Sequence, residues 1–280
     1  MSSTGDFGKL YIVGTPIGNL SDFSPRGIET LEKADYIAAE DTRVTLKLLA
    51  KFGIKKPMLS CYKPKEQEKS EQIVQLLLEG NSVAMVSDAG MPCISDPGYV
   101  LVKKCYERGI PAEVVPGCNA AVSAVAVSGL QSERWIFEGF LPVDKKERAS
   151  RLSEVKNLPH TLVYYEAPHK LCKTLSDLCG TFGEDRPGAL CRELTKLHEE
   201  VIRGTLGELV HYYESSEPRG EYVIVVEGKP PEKASLTFEQ AVQIARELVE
   251  EGVKLSDACK QAAEIGNIPK REIYAALAKK

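Results

Sequence analysis

Short apolar runs, each broken within a residue or two by turn chemistry, set the rhythm of the first half of the chain. Residues 9–13 (Lys-Leu-Tyr-Ile-Val) give way to Gly14-Thr15-Pro16-Ile17-Gly18-Asn19-Leu20, after which Ser24 as N-cap and Pro25 in the first turn predict a helix. Residues 36–39 repeat the run and end in Glu40-Asp41-Thr42-Arg43, which reads as a solvated rim or as an arranged polar site. A helical period over 70–78 leads through Gly80-Asn81 into the apolar run 83–86, which changes abruptly to Ser87-Asp88-Ala89-Gly90. The loop to Gly98 holds two acids, two prolines and two glycines, a composition costly to order without a purpose. Asp96 as N-cap and Pro97 at the first helical position predict the helix over 100–106. A strand over 112–115, the loop Pro116-Gly117-Cys118-Asn119-Ala120-Ala121 and small apolar residues to 128 follow. These predict a further helix packed closely on the sheet.

Strands alternating with helices at this spacing imply a mostly parallel sheet with helices on both faces. In such sheets ligands sit outside the carboxyl ends of strands, where small residues let backbone groups approach. Several Gly/Pro loops converging on one rim would therefore form a pocket.

After Gly129 the pattern changes. Strand-like runs at 136–141, 162–165, 189–191 and 222–226 alternate with helical ones at 145–155, 169–179 and 206–213, giving a second α/β domain with a more mixed sheet. A cleft between two such domains is a preferred small-molecule site. The locally basic stretch 143–151 reads equally as a solvated helix start or a nucleic-acid contact. Residues 228–234 form a linker. Beyond it Thr237 and Gln240 make a capping box for an amphipathic helix carrying Phe238, Ala241, Val242, Ala245 and Leu248, ended by Gly252. A second helix over 256–263, a turn through Gly266-Asn267 and a third helix from Pro269, with Lys270, Arg271 and Tyr274, resemble a helix-turn-helix. The fold class is thus α/β: two α/β domains, residues 1–121 and 122–229, with a helical module over 235–280.

Composition narrows the function. With 280 residues and 43% hydrophobic content the chain buries a sizeable core, and a net charge of -4 excludes a surface coated in positive charge. Any nucleic acid must meet local patches. No run approaches the ~18 to 20 apolar residues of a membrane span. Eight scattered cysteines without a Cys-x-x-Cys pair, and four unclustered histidines, argue against a metal site and for a reducing cytoplasm. The loop at 14–18 matches neither the dinucleotide fingerprint nor the Walker loop, which argues against nicotinamide chemistry and phosphate cradling.

Five motifs in order, Gly-Thr-Pro-Ile-Gly-Asn-Leu (14–20), Ala-Glu-Asp-Thr-Arg (39–43), the segment 86–98, Tyr-Glu-Ala-Pro-His-Lys (165–170) and Arg-Glu-Leu-Thr-Lys (192–196), resemble the tetrapyrrole-methylase superfamily. Within it they resemble the branch that 2′-O-methylates a cytidine ribose of 16S rRNA, and the resemblance spans nearly the whole chain. It implies S-adenosyl-L-methionine as methyl donor, a donor cleft between two α/β domains, a homodimer, a substrate in the small ribosomal subunit and no metal. It places the donor, largely through backbone groups, against Thr15, Pro16, Ser87, Asp88, Ala89, Gly90, Pro92, Ile94, Ser95, Pro116, Gly117, Cys118, Asn119, Ala120 and Ala167. On the acceptor side it places Glu40, Asp41, Arg43, Glu166, Arg192, Glu193 and Lys196. A ribose hydroxyl is a weak acid, so a proton acceptor or a cation that stabilises the developing alkoxide would help there. The base is not assigned, and Asp41 with Arg43, or Arg192 with Glu193, are equally ion pairs bracing the cleft. Met91, Cys118-Asn119 and Lys170 depart from the family's usual Thr, Pro-Ser and Arg, which removes side-chain contacts and leaves backbone ones. The rival readings are methylation of a tetrapyrrole carbon, which needs no tail, and a non-enzymatic nucleic-acid binder resting on the tail.

Overall fold

The computed structural model describes residues 7–230, 236–266 and 268–278. In chain order β1 (Leu10–Val13), α1 (Pro25–Lys33), β2 (Tyr36–Ala39), α2 (Thr42–Lys51), β3 (Met58–Ser60), α3 (Glu66–Leu78), β4 (Val83–Val86), α4 (Tyr99–Glu107) and β5 (Ala112–Val115) build the first sheet and its helices. Its strands are all parallel, in the order β3-β2-β4-β1-β5. β1, β2 and β4 are apolar throughout because both faces are covered, Leu10, Ile12, Val83 and Met85 facing one cluster and Val13, Ile37, Ala84 and Val86 the other, whereas the edge strand β5 is mostly exposed and carries Glu113. β1 connects to one side, to β2, and β4 to the other, to β5, so their loops part at the β4/β1 junction. That junction is a topological switch point, where open α/β sheets hold ligands.

Ser24 caps α1 as its sequence suggests, accepting from the Gly27 N–H at 3.0 Å. The start of α4 does not follow expectation. Its N-cap is Gly98 at φ 132, and the N–H groups of Gly98 and Val100 donate to the Glu66 carboxylate from α3, at 2.7 and 3.2 Å. A distant acid supplies the cap, and Asp96 is left to face a cavity. The helix α2 went unread because its N-cap, Asp41, hides in a charged motif; the Asp41 carboxylate accepts from Arg43 N–H at 2.8 Å.

α5 (Ala120–Ser128), capped by Asn119 and ended by Gly129 at φ 76, opens the second half. Its small residues pack on the second sheet rather than the first: Ala121, Ala124 and Val125 cluster with Val163, Ala189 and Val225. There follow β6 (Trp135–Phe140), α6 (Lys145–Val155), β7 (Thr161–Glu166), α7 (Pro168–Phe182), β8 (Pro187–Arg192), β9 (Glu200–Thr205), α8 (Leu206–Tyr212) and β10 (Tyr222–Val226). The sheet order is β6-β7-β10-β8-β9, with β6 and β7 parallel and the remaining pairs antiparallel, a mixed sheet.

Residues divide into two compact units between Gly228 and Lys229, and the first holds both sheets. The second unit comprises α9 (Phe238–Glu250), α10 (Leu255–Gly266) and α11 (Lys270–Ala278) around Ala241, Ala245, Cys259, Ala262 and Ile273. The Thr237/Gln240 capping box is present, with reciprocal hydrogen bonds of 3.2 and 2.9 Å. The linker from 231 onward and Asn267 of the expected turn lie outside the described residues. Among the described residues no helix is long and apolar enough to cross a membrane.

Candidate active site

Three loops close on one another at the carboxyl edge of the first sheet. The Thr15 N–H donates to Gly90 O at 2.9 Å and the Gly90 N–H returns to Thr15 O at 3.2 Å, stitching the loop after β1 to the loop after β4. The buried Thr15 hydroxyl lies 3.4 Å from both Ser87 O and Gly90 O. The loop after β5 joins by glycine contact. A Cβ on Gly117 would stand 2.6 Å from Gly14 O, and one on Gly14 would stand 2.7 Å from the Gly117 Cα, so the two backbones touch where no side chain fits.

This rim borders a cavity of about 470 Å³, within the ordinary range for small-molecule sites. From the first sheet it is walled by Ile17, Glu40, residues 88–91 and 94–96, Asn119 and Ala120. From the second come Phe140, Tyr165, Glu166, Ala167, Pro168, Cys191, Leu194, Glu221, Tyr222 and Val223. Of the residues expected to hold a donor, Asp88, Ala89, Gly90, Ile94, Ser95, Asn119, Ala120 and Ala167 line the cavity. Thr15, Pro16, Ser87, Pro92, Pro116, Gly117 and Cys118 stand in the same loops outside that lining, Thr15 and Ser87 buried and Cys118 Sγ turned to Asp22 O at 3.6 Å.

Of the expected acceptor-side residues, the structure brings Glu40 and Glu166 into the wall and leaves the others outside it. Arg43 is exposed and clasps Asp41 at 2.6 Å; that hydrogen bond holds the Asp41 carboxyl down at about 2. Arg192 donates to Arg219 O at 2.9 Å and to Glu200 at 3.1 Å. Glu193, at φ 49, accepts from Lys196 Nζ and from the Glu221 N–H, each at 2.9 Å, while Lys196 also reaches Glu221 at 2.7 Å. The geometry of this motif is that of a brace: it presents Leu194 and Glu221 to the cavity. Glu166 is 5% exposed and both its oxygens are engaged, one by the Ala167 N–H at 2.9 Å and one by the Thr174 hydroxyl.

The cavity's electrostatic character comes from Glu40, Asp88 and Asp96. Burial raises the pKa of all three, and the charge of Asp96 adds to the rise at Glu40, that of Asp41 to the rise at Asp88, and that of Asp88 to the rise at Asp96. Lys63, whose ammonium donates to Ser95 O at 3.0 Å, partly opposes this at Glu40 and Asp96. Asp96 was hidden in the sequence by its resemblance to a helix cap. Ile17, Tyr165, Pro168 and Leu194 lay inside quoted motifs, and Cys191 immediately before one, without being singled out; Met91 was noted only as a departure from the family's usual Thr. Phe140, Tyr222 and Val223 carried no motif at all, and their only signal was an apolar run; Glu221 had no signal.

Residues 9–210 match the family model described as Tetrapyrrole (Corrin/Porphyrin) Methylases. The chain is 44% identical over 273 residues to the ribosomal RNA small subunit methyltransferase I of Halalkalibacterium halodurans, covering 96% of this chain and 94% of that one. It is 48% identical over 222 residues to the protein of the same name from Thermotoga maritima, covering 79% and 99%. Among solved structures, the uroporphyrin III C-methyl transferase of Thermus thermophilus superposes with a TM-score of 0.57 at 18% identity, over 79% of this chain and 97% of that one, a likeness of fold. The chain belongs to the tetrapyrrole methylase family.

Proposed function

We propose that the chain is an S-adenosyl-L-methionine-dependent methyltransferase that 2′-O-methylates a cytidine ribose in 16S rRNA of the small ribosomal subunit, working in the cytoplasm as a homodimer. The observation that carries this reading is the cavity between the two sheets, with its backbone rim and three carboxylates of raised pKa, in a chain whose relatives of high identity are named for small-subunit rRNA methylation. The residues present fit the donor. The Gly14/Gly117 contact and the Thr15–Gly90 bridge leave a main-chain cradle, and Glu40, Asp88 and Asp96 complement a ligand bearing sulfonium and ammonium charges.

Main-chain groups of Ala89, Gly90, Asn119, Ala120 and Ala167 would hold the donor, and Leu194 and Val223 would exclude water from it. When bound, the donor supplies an electrophilic methyl group. The protein's task is then to orient the ribose oxygen in line with it, a contribution of ~7 to 11 kcal/mol when the geometry is good. Glu40, Asp88 and Asp96, each a stronger base than a surface carboxylate, are the wall groups suited to take the ribose proton. Residues 229–280 are proposed as an accessory module, since the Thermotoga maritima relative is matched over 99% of its length by 222 residues. The tetrapyrrole alternative is not favoured, because the likeness to a uroporphyrin enzyme is one of fold at 18% identity.

The raised pKa values fix the sign of a pH effect. A cationic donor favours the ionised carboxylates, so binding lowers their pKa and expels protons; donor affinity climbs as pH rises through and above the ordinary carboxylate range and then levels. Without donor the native state holds more protons than the unfolded chain in that window, so these groups' contribution to stability is largest below it and falls as pH rises. Calorimetry in buffers of differing ionisation enthalpy reads the proton release. A pH-independent affinity, or proton uptake, would contradict the assignment of these acids to the donor site.

The activity itself is tested with labelled donor and unmethylated small subunits, followed by digestion to nucleosides. The expected product is ribose-methylated cytidine. Label absent from RNA but present on a porphyrinoid would overturn the reading.

A further inference from the structure

Phe140 ends β6, and the residue is 61% exposed although it stands in the wall of the cavity. The strand is built to put it there. β6 pairs with β7 in register at Phe137↔Val163, then slips, and resumes with Gly139↔Tyr164 and Phe140↔Tyr165. Two-residue alternation alone would set Phe137 and Phe140 on opposite faces. The bulge, with Gly139 at φ 65, returns Phe140 to the face that carries Phe137 and Tyr165, which is how bulges re-aim side chains beside functional sites. The extra residue, Glu138, is fastened by Arg151 through two hydrogen bonds of 2.6 and 2.9 Å, its own side chain 1% exposed.

The ring is also held in orientation. Tyr165 stands edge-to-face with Phe137 at 4.9 Å and with Phe140 at 5.7 Å, and its hydroxyl accepts from the Ala121 N–H at 3.1 Å. The outer surface of Phe140 stays open. Among the described residues lining the cavity, the other aromatic rings, Tyr165 and Tyr222, are half-buried and buried. Across from the bulge, a Cβ on Gly139 would lie 3.9 Å from Ser95 Oγ, so the platform neighbours the loop that carries Asp96.

We infer that Phe140 is the platform on which the base of the acceptor nucleotide stacks, positioning its ribose at the cavity; this rests on the rRNA reading above. A ribose oxygen reaches a methyl group recessed in a cavity when its nucleotide is drawn out of the surrounding RNA structure, as enzymes that do chemistry on a base draw their target out of the stack. Unstacked RNA bases are held on aromatic faces. A preorganised, outward-facing ring at the mouth of a methyl-transfer cavity meets that need.

The test compares full-length wild type, Phe140→Ala and Phe140→Trp. Methyl transfer to unmethylated small subunits, subunit binding on filters and donor affinity by calorimetry are each measured. The expected Phe140→Ala protein loses roughly 10- to 100-fold in kcat/KM, chiefly through KM, and loses subunit affinity in parallel, with donor affinity unchanged. Phe140→Trp restores most of both. A Phe140→Ala protein as active as wild type, a loss matched by weaker donor binding, or a tryptophan variant as poor as alanine would each overturn the inference. Wild type that binds donor but methylates no RNA would instead overturn the parent reading, and this inference with it.

Discussion

Gly117→Ala weakens donor binding at least a hundredfold and costs the fold about 1 to 3 kcal/mol. The added methyl would meet Gly14 O at 2.6 Å and the Gly14 Cα at 2.8 Å, backbone atoms that have no rotamer through which to escape. Gly14 cannot withdraw freely, because Thr15 beside it is tied to Gly90 in both directions. A displacement at the end of β5 therefore travels through the loop after β1 into the loop after β4, and all three parts of the cradle shift together. Calorimetry is expected to show donor affinity at least a hundredfold weaker, since a ligand held by fixed main-chain groups tolerates little misplacement. Denaturant unfolding reads the stability loss separately. A Gly117→Ala protein that binds donor like wild type would show that these loops do not form the cradle.

Arg148→Met destabilises the first unit by about 2 to 4 kcal/mol. Arg148 lies in the basic stretch that sequence alone leaves open as a solvated or nucleic-acid-binding surface, yet it is 7% exposed. Its Nε donates to Asp177 at 2.6 Å and its Nη2 to the Thr174 hydroxyl at 2.7 Å, and Thr174 in turn donates to the buried Glu166 in the cavity wall. Removing the cation leaves a chain of polar groups without its terminal donor. The figure is set below that of a wholly buried pair because the Asp177 side chain is 34% exposed and water screens part of the loss. Lys145→Met, an exposed neighbour, is the control and is expected to unfold with wild-type urea dependence. An Arg148→Met protein equally unchanged would show that the network contributes nothing to the wall.

What the sequence revealed was what neighbours in the chain encode. The apolar runs of β1, β2, β4 and β5, the Ser24-Pro25 helix start and the Thr237/Gln240 box are set by residues a few positions apart, and each stands where the pattern put it. The failures share the opposite cause. Asp96 is not a cap because Glu66, from another helix, takes the N–H groups it would have bound. Arg148 turns inward to meet Asp177, and Arg151, itself exposed, reaches back to the buried Glu138. β9 was unread because Glu200 and Arg203 interrupt its apolar residues, and β3 because it is three residues long. The site was legible in the same measure. Its loops were visible as Gly/Pro chemistry, whereas the second wall, with Phe140 aimed by a bulge and Leu194 presented by the Glu193–Lys196 brace, depends on pairings that only the fold creates.

The central claim is that main-chain groups of three stitched loops, together with a wall from the second sheet, hold the methyl donor. A crystal structure of the full-length protein with S-adenosyl-L-methionine tests it most directly. The expected result is donor in the cavity, hydrogen-bonded by backbone of residues 88–90, 119–120 and 167, with its methyl group turned toward the open side near Phe140. Donor bound elsewhere, or held without any contact to those three segments, would contradict the account.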